Sequence, residues 1–96
     1  MDIFWDESIH DRKAVEQALK KGKRIHGLYL ICITKDGKME IMSAAEAFKP
    51  ACAALELKII GAASGKENAV DALARIYRDY LEEHGTIDGL AMRYRQ

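Results

Sequence analysis

The segment of residues 28–34 constrains the fold more than any other part of the chain. It is rich in β-branched and aromatic residues, which is typical of a strand. Its side chains alternate between two apolar faces, Leu28, Leu30 and Cys32 on one and Tyr29, Ile31 and Ile33 on the other. A strand without a polar face is normally central in its sheet and covered on both sides. The fold must therefore supply a cover for each face.

This strand opens a predicted hairpin. The residues that follow include Asp36 and Gly37, a pair that favours a two-residue type I′ turn, and 39–42 then predict a second strand. A third strand is predicted at 57–63. Between the second and third strands, 43–55 predict a short helical turn that Pro50 stops, and then a connection across the sheet.

Two helices flank the predicted strands. The first covers roughly 9–22, with Ser8 as its N-cap and Gly22 at its end. The second covers about 65–84, and Ser64 and Glu67 fit a capping box at its start. Apolar residues at helical spacing predict one wide buried face on this helix: Val70, Leu73, Ile76, Tyr77, Tyr80 and Leu81.

These elements predict an α+β fold of the order α-β-β-β-α. The sheet is short, mainly antiparallel and three- to four-stranded, and the two helices are expected to pack on one of its faces. The 96 residues are enough for one hydrophobic core, so 1–96 is predicted to be a single domain. Residues 86–96 are predicted to be a flexible tail or a C-terminal edge strand, since apolar and polar residues alternate there.

Composition and charge argue against several classes of function. Lys+Arg and Asp+Glu number 15 each, so no net charge attracts nucleic acid or an anionic membrane. The chain has only two cysteines, whereas a small secreted domain usually carries a disulfide framework. The first residues do not resemble a signal peptide, and the longest nearly apolar run, 27–33, is too short to span a bilayer. We expect a cytoplasmic protein without membrane association.

The junction between the third strand and the second helix is a candidate anion or small-ligand site, formed by Ser64, Gly65 and Lys66. The free N–H groups and the dipole at a helix start favour negative charge. The spacing differs from a P-loop, because three residues instead of four separate the two glycines, and Glu67 follows the lysine where Ser or Thr is required. An ordinary capped helix start is therefore the preferred interpretation.

Clustered cations form a second candidate site. They are Lys20, Lys21, Lys23 and Arg24 at the end of the first predicted helix, and Arg93 and Arg95 in the tail. If the tail folded back beside the basic run, the two groups could contact a nucleic-acid backbone. Lysines at a helix C-terminus also interact favourably with the helix dipole in the absence of any ligand. Nucleic-acid binding therefore ranks below protein interaction.

No constellation of side chains indicates catalysis, a metal or a cofactor. His10, His26 and His84 fall on separate predicted elements at spacings that match no zinc pattern. Cys32 is predicted to be buried, where a thiol is usually inert, and Cys52 lies in an irregular segment. We expect a protein that is not an enzyme and binds no cofactor.

Apolar surface is the remaining indication of function. One face of the sheet is expected to be bare, and Ile3, Phe4 and Trp5 add an apolar cluster at the N-terminus. A small domain normally buries such surface by association. The sequence therefore predicts an interaction module that self-associates, at least as a dimer, and binds an unidentified protein partner. Nucleic-acid binding and anion binding at the two candidate sites are the alternatives.

Overall fold

The computed structural model describes residues 3–95, and for Arg95 it describes the backbone alone. The strands are β1 (Phe4–Trp5), β2 (Leu28–Ile33), β3 (Met39–Ser43) and β4 (Lys58–Ser64). The helices are α1 (Arg12–Lys20), α2 (Ala44–Ala47), α3 (Lys66–His84) and α4 (Leu90–Arg95), with a 3-10 helix at Pro50–Leu55 between α2 and β4. The predicted α+β class is confirmed.

The four strands form one mixed sheet in the order β1-β4-β2-β3. β2 pairs antiparallel with both β3 and β4, and β1 pairs parallel with β4. The sheet is therefore mainly antiparallel, as predicted, and β2 is an inner strand. Its outermost strands are β1, which contributes Phe4 and Trp5, and β3.

Both faces of the sheet are covered from within the chain. On one face, Leu28, Leu30 and Cys32 pack with Leu19 of α1. The other face packs against α3 and α4 through Ile31, Ile33, Ile76 and Leu90. The alternation of β2 thus predicted its two faces correctly, but the expectation that both long helices cover one face and leave the other bare is wrong. One of the two long helices on each side is enough to cover a sheet of only four strands. The partly buried Trp5 and Phe48 add to the cover on the α1 side.

The turn between β2 and β3 differs from the predicted type I′. The Gly37 N–H donates to the Thr34 carbonyl (3.0 Å), and the Thr34 N–H donates to the Lys38 carbonyl (2.9 Å). Gly37 has a φ of 86°, whereas Glu56 is the one non-glycine residue with a positive φ among those described, so Asp36 lacks the positive φ that type I′ requires. The loop is a type I turn followed by a left-handed glycine.

The first helix is shorter than predicted and has a different cap. It begins at Arg12, and Asp11 caps it by accepting a hydrogen bond from the Ala14 N–H (3.1 Å). The Ser8 hydroxyl instead accepts a hydrogen bond from the Ser64 N–H (2.9 Å), which joins this loop to the end of β4. Ser8 as the N-cap is therefore wrong, because a partner 56 residues away uses its oxygen.

The second predicted helix is α3, which begins one residue later than expected and ends at the expected His84. Gly85 follows it as the C-cap in the left-handed conformation (φ 74°). The capping box of Ser64 and Glu67 is wrong: Gly65 is the N-cap, and no side chain caps the helix. Ser64 is the last residue of β4, and its carbonyl accepts from the Asn68 side-chain amide (2.7 Å).

The C-terminal segment is helical, so the predicted edge strand is wrong. Leu90 is buried, and Ala91 and Tyr94 are half-buried beside it, which is helical spacing. The Tyr80 hydroxyl of α3 donates to the Asp88 carbonyl (3.0 Å) and fixes the turn before α4. Leu90 packs in the same cluster as Ile31 and Ile76, and this packing favours the helix over a strand at the sheet edge.

Candidate interaction surface

The backbone of β3 is unpaired along its outer side. Among residues 3–95, no strand lies beyond β3, which pairs with β2 alone. The hydrogen bond between Thr34 and Lys38 starts the antiparallel ladder, and the direction of the backbone groups alternates along it. Glu40 and Met42 therefore direct their N–H and C=O groups at β2. Met39 and Ile41 direct both groups outward. Ser43 directs its N–H outward, but it is the N-cap of α2, so its carbonyl accepts the first hydrogen bond of that helix.

One flank of α3 lies above this free edge. At the start of the helix, Lys66 lines a pocket together with Ile41 and Ser43. Further along, Tyr77 lines a groove together with Met39. The helix therefore runs antiparallel to β3. Separations of four, seven and eleven residues return to the same side of a helix, so Val70, Ala74, Tyr77 and Leu81 share this flank.

Two of the large side chains on this flank are exposed. Val70 is 48% exposed and Leu81 is 46% exposed, so the prediction that both are buried is wrong. The buried stripe of α3 is centred on Ala69, Ala72 and Ile76 instead. These residues lie on the side of the helix that faces the sheet, which leaves Val70 and Leu81 on its flank.

A groove continues the exposed flank toward α4. Its volume is about 460 Å³, and its apolar lining comprises Met39, Tyr77, Ile87, Leu90, Ala91 and Met92. Ile87 is 51% exposed and Met92 is 67% exposed. The sequence did not single out either residue. We call the outer backbone of β3, the flank side chains Val70, Tyr77 and Leu81, and the groove residues Ile87 and Met92 the edge surface.

The predicted anion site is less open than its sequence indicated. The Ser64 N–H donates to Ser8, and the Gly65 N–H donates to the Gly27 carbonyl (2.8 Å). The buried Asp6 side chain accepts a hydrogen bond from the Ser8 N–H (3.1 Å), so an acidic residue lies beside this junction. Lys66 and Glu67 follow in the first turn of α3. Anion binding at Ser64, Gly65 and Lys66 stays a prediction.

The structure does not bring the two cationic groups together. Lys20, Lys21, Lys23 and Arg24 are exposed at the end of α1 and just beyond it. Arg93 lies on α4, which packs on the opposite face of the sheet, and it contacts Glu83 (3.7 Å) and His84. The side chain of Arg95 lies outside the described part of the chain. Nucleic-acid binding through the basic run stays a prediction as well.

The two thiols lie in different environments. Cys32 is fully buried, and burial raises its pKa to about 12, with smaller contributions from Glu40 and Cys52. Cys52 is half-buried in the 3-10 helix, and both cysteines are free. A thiol with a raised pKa is a poor nucleophile at neutral pH. Cys32 is therefore a packing residue of the core.

Two of the three histidines share a pocket, and the third lies elsewhere. His10 and His26 line a small pocket beside Ser8 and Ser64, and His84 is at the end of α3. Within residues 3–95, no three His, Cys, Asp or Glu side chains form a group that could hold a metal ion. None of the described helices combines the length and apolar character needed to cross a membrane.

Comparisons of this chain with protein-family models, with curated proteins and with solved structures find no significant match. The basis for a functional proposal is therefore the surface of the molecule itself.

Proposed function

We propose that this chain is a non-enzymatic protein-interaction module of the cytoplasm that self-associates, at least as a dimer. The observation that carries the proposal is the edge surface, where exposed apolar side chains lie beside an unpaired strand. Clustered exposed apolar residues on a small protein commonly mark an interaction site. Because both sheet faces are covered internally, the edge surface replaces the bare face as the surface that association would bury.

The composition of β3 supports the same proposal. Edge strands that do not associate are commonly protected by proline, charged residues or bulges. β3 contains no proline, and Glu40 is its one charged residue. Its other side chains include Met39, Ile41 and Met42, and its register with β2 is regular throughout. An edge of this kind readily accepts another strand.

The free cysteines support the proposed location. Disulfides form and persist in oxidising compartments, and thiols remain reduced in the cytosol. Cys32 and Cys52 are both free. Two free thiols in so small a domain suit a reducing compartment.

The mass of the protein in solution tests the proposal. Sedimentation velocity or light scattering at micromolar concentration should give about twice the chain mass of 10.8 kDa. The average mass should fall on dilution, because association depends on concentration. A mass of 10.8 kDa at every concentration up to about 1 mM would contradict self-association, since a dissociation constant of about 1 mM corresponds to only about 4 kcal/mol of binding free energy.

A further inference from the structure

We infer that the edge surface binds a second copy of this chain through antiparallel pairing of the two β3 strands about a twofold axis at Ile41. This inference rests on the proposed self-association and specifies its geometry. The surface is suited to its own copy in three respects: the direction of its backbone groups, the position of its helix flank and the order of its charges.

The outward backbone groups of β3 are symmetric about Ile41. A twofold axis there places Ile41 opposite itself and Met39 opposite Ser43 of the second copy. Ile41 and Met39 direct both groups outward and Ser43 directs its N–H outward, so the Ile41 pair has two hydrogen bonds and each pair of Met39 with Ser43 has one. The two four-stranded sheets would become continuous, and no outward group of Ile41 would lack a partner.

The same axis brings the two α3 flanks together above the new strand pair. Val70 lies toward the Ser43 end of β3, and Tyr77 lies toward the Met39 end. Rotation by the twofold axis therefore places Val70 of one copy near Tyr77 of the other. Because α3 packs mainly on the inner strands β4 and β2, the two helix axes would lie roughly 15 Å or more apart at a strand spacing of about 4.8 Å. Long flank side chains such as Tyr77 would therefore make the contact between the two helices.

Opposite charges meet at the rim of this arrangement. On the α3 side, Lys66 lies at the Ser43 end of β3 and Asp88 lies at the Met39 end, so Lys66 of one copy comes toward Asp88 of the other.

Glu46 of α2 lines the pocket at the Ser43 end together with Lys66, and Lys38 precedes Met39 at the other end, so Glu46 of one copy comes toward Lys38 of the other. Each attraction occurs twice because of the symmetry. Complementary rim charges favour one register over its neighbours.

The size of the surface is consistent with a dimer that dissociates measurably. The flank from Lys66 to Leu81 is about 22 Å long at 1.5 Å per residue. The three layers of the protein are about 10 Å apart, which gives a depth of roughly 20 Å. The two copies would together bury about 900 Å², close to the lower limit of about 1,000 Å² for a specific interface. A parallel pairing or a heterologous contact would use these features less completely.

Oxidative cross-linking at the proposed axis tests the geometry. In a Cys52→Ala background, Ile41→Cys should form a covalent dimer under mild oxidation. The reason is that Cα atoms of a hydrogen-bonded antiparallel pair are about 5.5 Å apart, within disulfide range. Lys38→Cys is the matched control. It is exposed, but its counterpart would lie about 20 Å away across the axis, so it should remain reduced.

A second variant keeps the test decisive if Ile41→Cys does not fold. Val70→Lys places a charge in the proposed contact on a side chain that is already half-exposed, so the dissociation constant should rise at least about tenfold with little change in the free energy of unfolding of the monomer. Lys21→Glu on α1 is its control and should leave association unchanged. If the parent is a dimer, an unchanged dissociation constant in Val70→Lys together with no covalent dimer in Ile41→Cys would contradict this geometry but not the proposed function. A monomeric parent would overturn the proposed function as well.

Discussion

The two covers of the sheet are built differently. On the α1 side, a nine-residue helix with a side-chain cap contributes Leu19, and Ile9, Trp5 and Phe48 complete the layer. On the α3 side, a nineteen-residue helix without a side-chain cap is joined by α4. The α1 side is assembled from many short segments. The α3 side depends chiefly on one long helix.

The difference shows that one hydrophobic pattern can serve two surfaces. The apolar residues of α3 are more numerous than its contact with the sheet requires, so Ile76 is buried while Val70 and Leu81 remain on the flank. α1 has no such surplus: Leu19 is its one buried residue, and Val15 and Ala18 are partly buried. The side of the molecule with surplus apolar surface is also the side that adjoins the free edge of β3.

The largest expected effect tests whether the α1 side is closed to solvent. A thiol reagent should modify Cys52 at least about a thousandfold faster than Cys32 at pH 8, because Cys32 reacts only when the core opens and burial raises its pKa to about 12. Mass spectrometry of labelled peptides over time measures the ratio. The Cys52→Ala protein in denaturant is the control, and its Cys32 should label quickly. Equal native rates would mean that the assembled cover opens easily.

The next effect concerns the buried stripe of α3. Ile76→Ala should lower the free energy of unfolding by about 2–5 kcal/mol, because it leaves a cavity against the sheet. Leu81→Ala on the exposed flank is the matched control and should change it by no more than about 0.5 kcal/mol in the monomer. Urea unfolding at concentrations where the monomer dominates measures both. If the two substitutions cost the same, α3 does not have separate core and flank sides.

The smallest effect compares the two helix starts. Asp11→Ala should cost about 1 kcal/mol, because it removes the hydrogen bond from the Ala14 N–H. Ser64→Ala should cost less than about 0.5 kcal/mol, since the Ser64 hydroxyl caps no helix and the residue is exposed. Thermal unfolding of both variants beside the parent gives the ranking. A larger cost for Ser64→Ala would restore the capping interpretation of α3.

Sequence patterns predicted the long elements well. Apolar side chains alternate over the six residues of β2 and recur at helical spacing over more than five turns of α3. Each pattern repeats several times, so it indicates one type of secondary structure. Gly85, which follows α3, and Gly37 in the hairpin turn could also be predicted, because helix ends and tight turns favour glycine. The two faces of β2 followed directly from the alternation.

Short elements and long-range contacts could not be predicted in this way. A two-residue strand such as β1 is too short for the two-residue period of a strand to repeat. The apolar residues at 90–95 fit both a strand and a helix. Ser8 resembled a cap, yet its hydroxyl bonds to Ser64 far along the chain. Periodicity also cannot separate core from interface, because both bury apolar side chains; Val70 and Leu81 were misassigned for that reason.

The pairing of β1 with β4 also imposes an order of events during synthesis. Phe4 and Trp5 leave the ribosome before the rest of the sheet, but their partners Gly61 and Ala62 are made 57 residues later. The hairpin of β2 and β3 needs only neighbouring residues and can form early, whereas closing so long a loop is entropically costly. β1 is therefore translated before the other three strands but can pair only after β4 is made, and until it pairs the outer side of β4 is open in the nascent chain.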